Sequence, residues 1–519
     1  MANSQLFSRR SKSSNRITET TNTINEAGGK AYSLSAKESL ATLAVTGTFN
    51  QVFYANAEDQ LNKVLSLLPK VEPEFIAKLA IYSRQSGFMK DMPAFLMAYL
   101  MSTDLNVYVL EQVFNKVIDN GKMLRNFVQI MRSGQINGRK SMGTRPKKLV
   151  QSWLNRRPIH RLIHDMIGND PSLCDIIKMT HPRPIDKEHS DFYRYLLKGE
   201  ISDNLPNELL EYEEWKRHGG DVPNVNHLLL TSQPLRVQDW ERIIPNMGYH
   251  ALRMNLNTLQ RNQVFQKQSN IDMVAEILRD KNLIRKSKLF PYQCLSAYKY
   301  GVDLPMGIQL ALQDSLEIAT ENVPILGNNV AVLVDISSSM RSPVTGSRNS
   351  ASSKIDCVDV AGLIASSVLR QNPNATIIGF NERGVDIKLN PRDSVMTNAK
   401  AIASLCGGGT STQEGIKHLV NKNRSYDVVI IVSDNMSWIS GGNSHVSTSE
   451  SVHQWNRLVD KNNEAKLVCI DLQPYVSVQV PNQRNVMNIA GFSDNVFHVI
   501  EKFVKNSGNF VEEIESVGI

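Results

Sequence analysis

From about residue 34 to residue 322 the apolar residues recur mostly three or four positions apart, as in Phe75, Leu79 and Tyr82 or Met273 and Ile277. That spacing gathers them on one face of a helix. Pro73, Pro93, Pro158, Pro206, Pro245, Pro291 and Pro305 fall where such helices would begin, positions at which a missing N–H breaks no helical hydrogen bond. No strict sequence period links the segments, so the pattern predicts degenerate stacked helical repeats. Each repeat would bury its face only against its neighbours, and together they would form one long curved surface.

The period changes after Gly327. Short runs rich in β-branched residues at 330–334, 376–380, 428–432 and 467–470 alternate with helical stretches at 357–370, 412–421, 452–462 and 495–505. Strands separated by helices predict a parallel sheet covered on both faces, an α/β doubly wound domain. The chain thus divides into a polar, mobile arm over residues 1–20, a helical-repeat domain over 21–325 and an α/β domain over 326–519.

Composition and charge sharpen this division. A chain of 519 residues with 41% hydrophobic and 21% charged residues is too long for one ordinary core and has the make-up of a soluble multidomain protein. The five cysteines, Cys174, Cys294, Cys357, Cys406 and Cys469, are too scattered for a zinc cluster or a disulfide framework and read as buried reduced thiols. The start of the chain, with Arg9, Arg10, Lys12 and Arg16 among serines and asparagines, lacks the apolar run of a secretory signal. No stretch is long and apolar enough to cross a bilayer, so the expected address is cytoplasmic, with no membrane partner. The net charge of +7 is uneven: from Leu326 onward 17 Lys and Arg face 18 Asp and Glu, which leaves +8 on the first 325 residues.

In open α/β sheets ligands collect beyond the carboxyl ends of the strands, and three such positions are oxygen-rich. Asp335, Ile336, Ser337, Ser338 and Ser339 follow the first strand as D-x-S-x-S. A Gly407-Gly408-Gly409-Thr410-Ser411-Thr412 loop precedes a helix, and Ser433-Asp434-Asn435 ends a third strand. Serine turns, glycine loops and strand-end aspartates serve elsewhere as connectors and caps. Their conjunction in this order is more specific, and their hard oxygen donors suit a divalent cation, with Mg2+ first in line.

The densest charge signal lies between Arg132 and His164, where Arg132, Arg139, Lys140, Arg145, Lys147, Lys148, Arg156, Arg157 and Arg161 occur without one acidic residue. Such a stripe is the footprint of a phosphate-binding surface. Trp153 within it has the chemistry to stack on a base, although its helical spacing favours a core position. Downstream lies Lys178-Met179-Thr180-His181-Pro182-Arg183-Pro184.

The run from Leu173 to Pro182 resembles the L-x-D-x-x-(K/R)-x-x-H element of the TROVE domain, found in the Ro autoantigen family and in telomerase-associated proteins. Asn25 to Gly29, Phe53-Tyr54-Ala55, His227-Leu228-Leu229, Tyr249 to Leu256 and Phe290-Pro291 agree in order. So do Ser433 to Trp438, similar to that family's (T/S)-D-N-E-T-(W/F), and Gly491-Phe492. The D-x-S-x-S, Gly-Thr and strand-end Asp sequences resemble the metal-ion-dependent adhesion site of von Willebrand factor A domains. The whole looks like the bacterial or phage branch of the Ro proteins, from about residue 20 onward.

This resemblance implies a HEAT-like helical-repeat ring, monomeric, joined to a von Willebrand factor A-like domain. Ser337, Ser339 and Thr410 would offer hydroxyls to the metal, and Asp335 and Asp434 would hold it directly or through water. A protein partner, such as an exoribonuclease, would supply an acidic ligand to the open coordination position. The resemblance also implies Y-like RNA on a basic outer surface, with His181 at that surface, and single-stranded 3′ ends of misfolded noncoding RNA in a central channel. Arg139, Lys140, Arg145, Lys147, Lys148 and Arg183 join the RNA-binding set on charge and proximity in sequence. The chain departs from the pattern at Ser411, where many members carry Asp, and at Met436, where Glu is usual, which bears on the partner that docks at the rim. A Ser- and Arg-rich insertion at 341–354 is placed to cover part of the metal face.

The expected role is therefore RNA quality control or stress response without bond chemistry. The competing reading is a protein-interaction scaffold that uses the repeats and the metal face; the acid-free basic stretch opposes it, because protein interfaces are depleted in Lys at their cores. A nuclease reading needs clustered carboxylates for two metals, and this site offers mostly hydroxyls.

Overall fold

The computed structural model describes residues 15–24, 30–46, 57–138, 140–344, 355–434, 449–473, 477–491, 496–505 and 510–519. Between Ala36 and Ala319 these residues form α-helices joined by turns and short 3-10 segments. The prolines act as the spacing requires: Pro73 and Pro291 open helices Pro73–Gln85 and Pro291–Tyr300, and Pro158, Pro206 and Pro305 stand immediately before helices. Packing runs between near neighbours in the array: helix Pro73–Gln85 meets Asp91–Leu100 and Val107–Val117, and Gln268–Arg279 and Pro291–Tyr300 both meet Met306–Ala319. Each helix thus finds its apolar partner locally, as stacked repeats require.

Among the described residues nine strands form: β1 (Thr23–Ile24), β2 (Lys30–Ser33), β3 (Val330–Asp335), β4 (Thr376–Phe380), β5 (Gly384–Asp386), β6 (Val428–Ser433), β7 (Lys466–Asp471), β8 (Ser477–Val478) and β9 (Val486–Ala490). Six form one sheet in the order β5-β4-β3-β6-β7-β9, parallel except for the edge strand β5. Residues along β3 alternate between two cores. Val330, Val332 and Val334 face the side that holds Val360, Ile364 and Phe497, whereas Ala331 and Leu333 face Ile416, Leu419 and Trp455. Burial on both faces explains why its sequence is continuously apolar.

All four strands expected from the pattern are present, with helices at Cys357–Gln371, Thr412–Asn421, Glu450–Val459 and Val496–Lys505. The pattern missed β9, which carries a buried Asn488 whose amide donates to Val480 O (2.9 Å), and the three-residue β5. Helices Val395–Ala403 and Phe510–Glu515 were also missed.

The helical array begins and ends on the α/β domain. At its start Lys37 pairs with Glu515 (2.6 Å), the Tyr82 hydroxyl donates to Glu513 (3.0 Å), and helix Ala36–Thr46 packs on β9. At its end Phe290 stacks on Phe497, Lys299 pairs with Asp359 (2.5 Å), and Glu317 accepts from the Val395 amide (2.6 Å) and from Arg370. The α/β domain therefore closes the helical repeats into a ring.

The arm expected over residues 1–20 differs where it is described. Ile17 is buried, its backbone exchanging hydrogen bonds with the Asn456 side chain, and Arg16 pairs with Asp460 (3.1 Å). β2 then pairs antiparallel with β8. One apolar residue and one asparagine partner on a distant helix fix this segment, a match that local polarity does not reveal. Residues 1–14 lie outside the described residues.

The cysteines are all free thiols, as expected, but only Cys294 and Cys357 are buried; Cys174, Cys406 and Cys469 are half-buried as residues. Among the described residues no helix is long and apolar enough to cross a membrane.

Candidate functional site

Strand order reverses at β3, with β4 on one side and β6 on the other, so the crevice beyond their carboxyl ends is the switch point of the sheet. Asp335 ends β3 and is fully buried. Its Oδ1 accepts from the Ser337 amide (2.9 Å) and its Oδ2 from the Ser433 hydroxyl (2.6 Å). The first bond folds the chain back after the strand, so that the Ser337 and Ser339 hydroxyls lie 3.0 Å apart. The second ties β3 to the end of β6, where Asp434 follows, also fully buried.

The glycine loop is pinned to the same crevice. Gly407 N donates to Ile336 O (2.7 Å), and Ser338 N donates to Gly408 O (3.0 Å). Gly408 sits at φ +82, and a Cβ there would stand 3.3 Å from the Asn381 amide, so glycine meets both a conformational and a steric demand. Thr410 emerges from this loop buried, with 2% of its surface exposed. Asp335, Ser337, Ser339, Thr410 and Asp434 are thus carried by three segments that hydrogen bonds lock around one crevice.

Burial, and after it the neighbouring Asp434 charge, push the Asp335 carboxyl up to about 7. Two carboxylates in a dry crevice repel, and a cation between them would remove that penalty. Among the described residues no three His, Cys, Asp or Glu side chains group to hold a metal. A cation here would rest on two carboxylates and the three hydroxyls, a donor set of hard oxygens that fits a small divalent ion.

Several supporting groups had no sequence signal beyond adjacency. The Cys406 thiol donates to Ser337 O (2.9 Å), and Asn381, directly after β4, donates to Gly407 O (2.8 Å) while its carbonyl accepts from Ser411 N (2.9 Å). Arg341 donates to Cys406 O (3.1 Å). Residues 345–354 of the insertion, and Asn435 to Trp438, lie outside the described residues.

The basic stretch resolves into two kinds of residue. Arg156 pairs with Glu111 (3.1 Å) and Arg157 with the buried Asp165 (2.5 Å), so the stripe lacks acids in sequence but not in space. Arg145 is half-buried and donates to Thr103 O (3.0 Å), which gives it a structural bond beyond the expected phosphate role. Trp153 is core: its indole N–H donates to Ile118 O (2.6 Å), and Arg157 covers its ring. Lys140, Lys147 and Lys148 are exposed, with no ion pair among the described residues, and Arg139 lies outside them.

Helix Thr144–Arg156 holds the two halves of the basic surface together. Gln151 donates to Thr180 O (2.6 Å) and Asn155 to Arg183 O (2.7 Å), so the turn carrying His181 and Arg183 lies against this helix. Lys147 and Lys148 stand one helical turn before Gln151, on the same side. Helix Leu173–Thr180 opens with a capping box in which Asp175 accepts from Ser172, and it closes with His181 in the left-handed region, φ 52. Asp175 and Thr180 of the motif are therefore structural, while His181 is left exposed beside Arg183.

A helical-repeat ring closed by an α/β domain with an oxygen-lined crevice defines a narrow class of proteins. A family model described as the TROVE domain matches residues 216–311, and one described as the Ro60 vWA domain matches residues 329–504. The chain thus resembles the Ro proteins in both of its domains. It is 20% identical to a Deinococcus radiodurans protein named RNA-binding protein RO60, over 93% of this chain and 95% of that one. It also superposes on the crystal structure of the Deinococcus radiodurans RO (RSR) protein with a TM-score of 0.65 at 16% identity, covering 91% of this chain and 99% of that one. The TROVE match begins after His181, so the Leu173–Pro182 likeness rests on those residues themselves.

Proposed function

We propose that this protein binds noncoding RNA through the outer surface around helix Thr144–Arg156, with structured Y-like stems on that surface and single-stranded ends of misfolded RNA entering the centre of the ring. One observation carries the reading. Arg145 and Lys147 lie in the first turn of a helix that has neither an acidic residue nor a side-chain cap there, and Lys148 follows directly. Cations at the positive end of a helix dipole are unfavourable unless an anion joins them, and free N–H groups at a helix start bind phosphate. His181 and Arg183, held against the same helix, extend the patch. The name of the Deinococcus relative supports the same ligand class.

The α/β crevice takes a divalent cation, Mg2+ by donor type, through Asp335, Ser337, Ser339, Thr410 and Asp434. The cation contributes positive charge that a partner's carboxylate can complete; Asp335 and Asp434 orient it, and the hydroxyls supply neutral donors. No bond chemistry is part of this role, which is cytoplasmic RNA quality control or stress response. Filter binding of the full chain to a hairpin RNA, with and without a single-stranded 3′ tail, tests it. The tailed RNA binds more tightly, and His181→Ala weakens the blunt stem more than the tailed one. Equal affinities for both RNAs, or an equal loss on both, leave only a general basic surface.

A further inference from the structure

Among the described residues the most exposed large hydrophobic side chain is Tyr108, at 77%, in the first turn of helix Val107–Val117. Its helix runs parallel to the basic helix Thr144–Arg156, as successive contacts show: Arg145 with Thr103 (3.0 Å), Ser152 with Glu111 (3.4 Å), Arg156 with Asn115 (2.9 Å). Tyr108 lies one turn before Glu111, and Lys148 lies one turn before Ser152. The register therefore sets Tyr108 level with Leu149, one position from Lys148, on adjacent helices. Asn106 fixes the tyrosine backbone by accepting from its amide (2.8 Å).

We propose that Tyr108 is the base-stacking residue of this surface, receiving an unpaired nucleotide whose phosphate rests on Lys148 and Lys147. This rests on the RNA reading above. Trp153, the aromatic inside the basic stretch, cannot serve, because its ring is buried under Arg157 and its N–H is taken. A paired stem hides its base faces, so the ligand is a bulged or flanking nucleotide of a structured RNA. Stacking on an exposed aromatic tolerates any base, and the neighbouring ammonium groups add the charge that anchors the backbone. The patch thus discriminates interrupted stems from perfect ones without reading sequence.

The test uses the full chain and three hairpins: fully paired, with a bulged 2-aminopurine, and with an abasic residue at the bulge. Wild type binds the bulged hairpin more tightly than the abasic one and quenches its fluorescence. Tyr108→Ala lowers affinity for the bulged hairpin about tenfold, within the range of one base stack, abolishes the quench, and leaves the salt dependence unchanged. Tyr108→Phe retains both properties. If Tyr108→Ala binds all three hairpins as wild type does, or loses affinity equally on the bulged and abasic ones, the stacking proposal is overturned while RNA binding stands. If wild type binds none of the three, the RNA reading falls and this proposal with it.

Discussion

Raising the pH of the metal-free protein from about 5 to 7 should loosen its α/β domain through Asp335. A carboxyl whose folded pKa is raised contributes stability that is complete below its unfolded value and is lost as pH rises toward the folded value. With the Asp335 carboxyl pushed up to about 7 by burial and by Asp434, the unfolded state is ionised across this window, whereas the folded state ionises only as the pH nears 7. The loss is about 1 kcal/mol per pH unit on average, or roughly 2 kcal/mol over the window. His227 and His498 act in the opposite sense, because burial lowers their pKa values and disfavours the folded state at low pH. The decisive quantity is therefore the difference between wild type and Asp335→Asn, which keeps the histidines and removes the titrating carboxyl. Urea unfolding followed by tryptophan fluorescence, in EDTA and again in Mg2+, reads it at each pH. Wild type loses stability relative to Asp335→Asn as pH rises, and Mg2+ restores it most at the upper end, where both carboxylates are free to hold the ion. A difference that is flat with pH, or a magnesium response that survives in the variant, contradicts this role of Asp335.

Three further outcomes follow from particular contacts. Lys147→Ala with Lys148→Ala removes two phosphate contacts, so the affinity deficit against wild type should be about 70- to 200-fold near 50 mM salt and shrink to about 10- to 20-fold near 200 mM; filter binding at both salts checks it, and a deficit independent of salt contradicts it. Asp165→Ala strips the partner from Arg157 and the acceptor from Gly121 N (2.7 Å), and should cost about 3–5 kcal/mol in denaturant unfolding without lowering the salt slope of RNA binding. Asp434→Ala should abolish magnesium uptake in calorimetry while leaving hairpin affinity within about twofold, since the two sites lie on separate domains.

The α/β domain was the most legible part of the chain. Its inner strands are buried on both faces, and continuous runs such as Val330–Asp335 therefore stand out, as do the oxygen-bearing residues placed directly after them. β9 did not stand out, because Asn488 breaks its apolar run and finds its acceptor only in the folded chain. The helical repeats were legible as a class, but their closure into a ring followed only from the family resemblance and not from spacing: it depends on pairs such as Lys37 with Glu515 and Glu317 with Arg370, which are far apart in sequence. The same distance misled the reading of the basic stretch. Glu111 and Asp165 neutralise Arg156 and Arg157 from other helices, while Tyr108 joins the surface from a helix that carries no charge signal. Proximity across helices, which no spacing rule encodes, decides which cations remain available to a ligand.

The RNA phosphates are proposed to bind at the patch around helix Thr144–Arg156. The direct measurement is ultraviolet cross-linking in cells that express the full chain, followed by sequencing of the attached RNA and mass-spectrometric mapping of the adducted peptides. Structured noncoding RNA should be recovered, with adducts on the peptides carrying Lys147, Lys148 and His181–Arg183. Protein recovered without RNA, or adducts confined to the α/β domain, would contradict it.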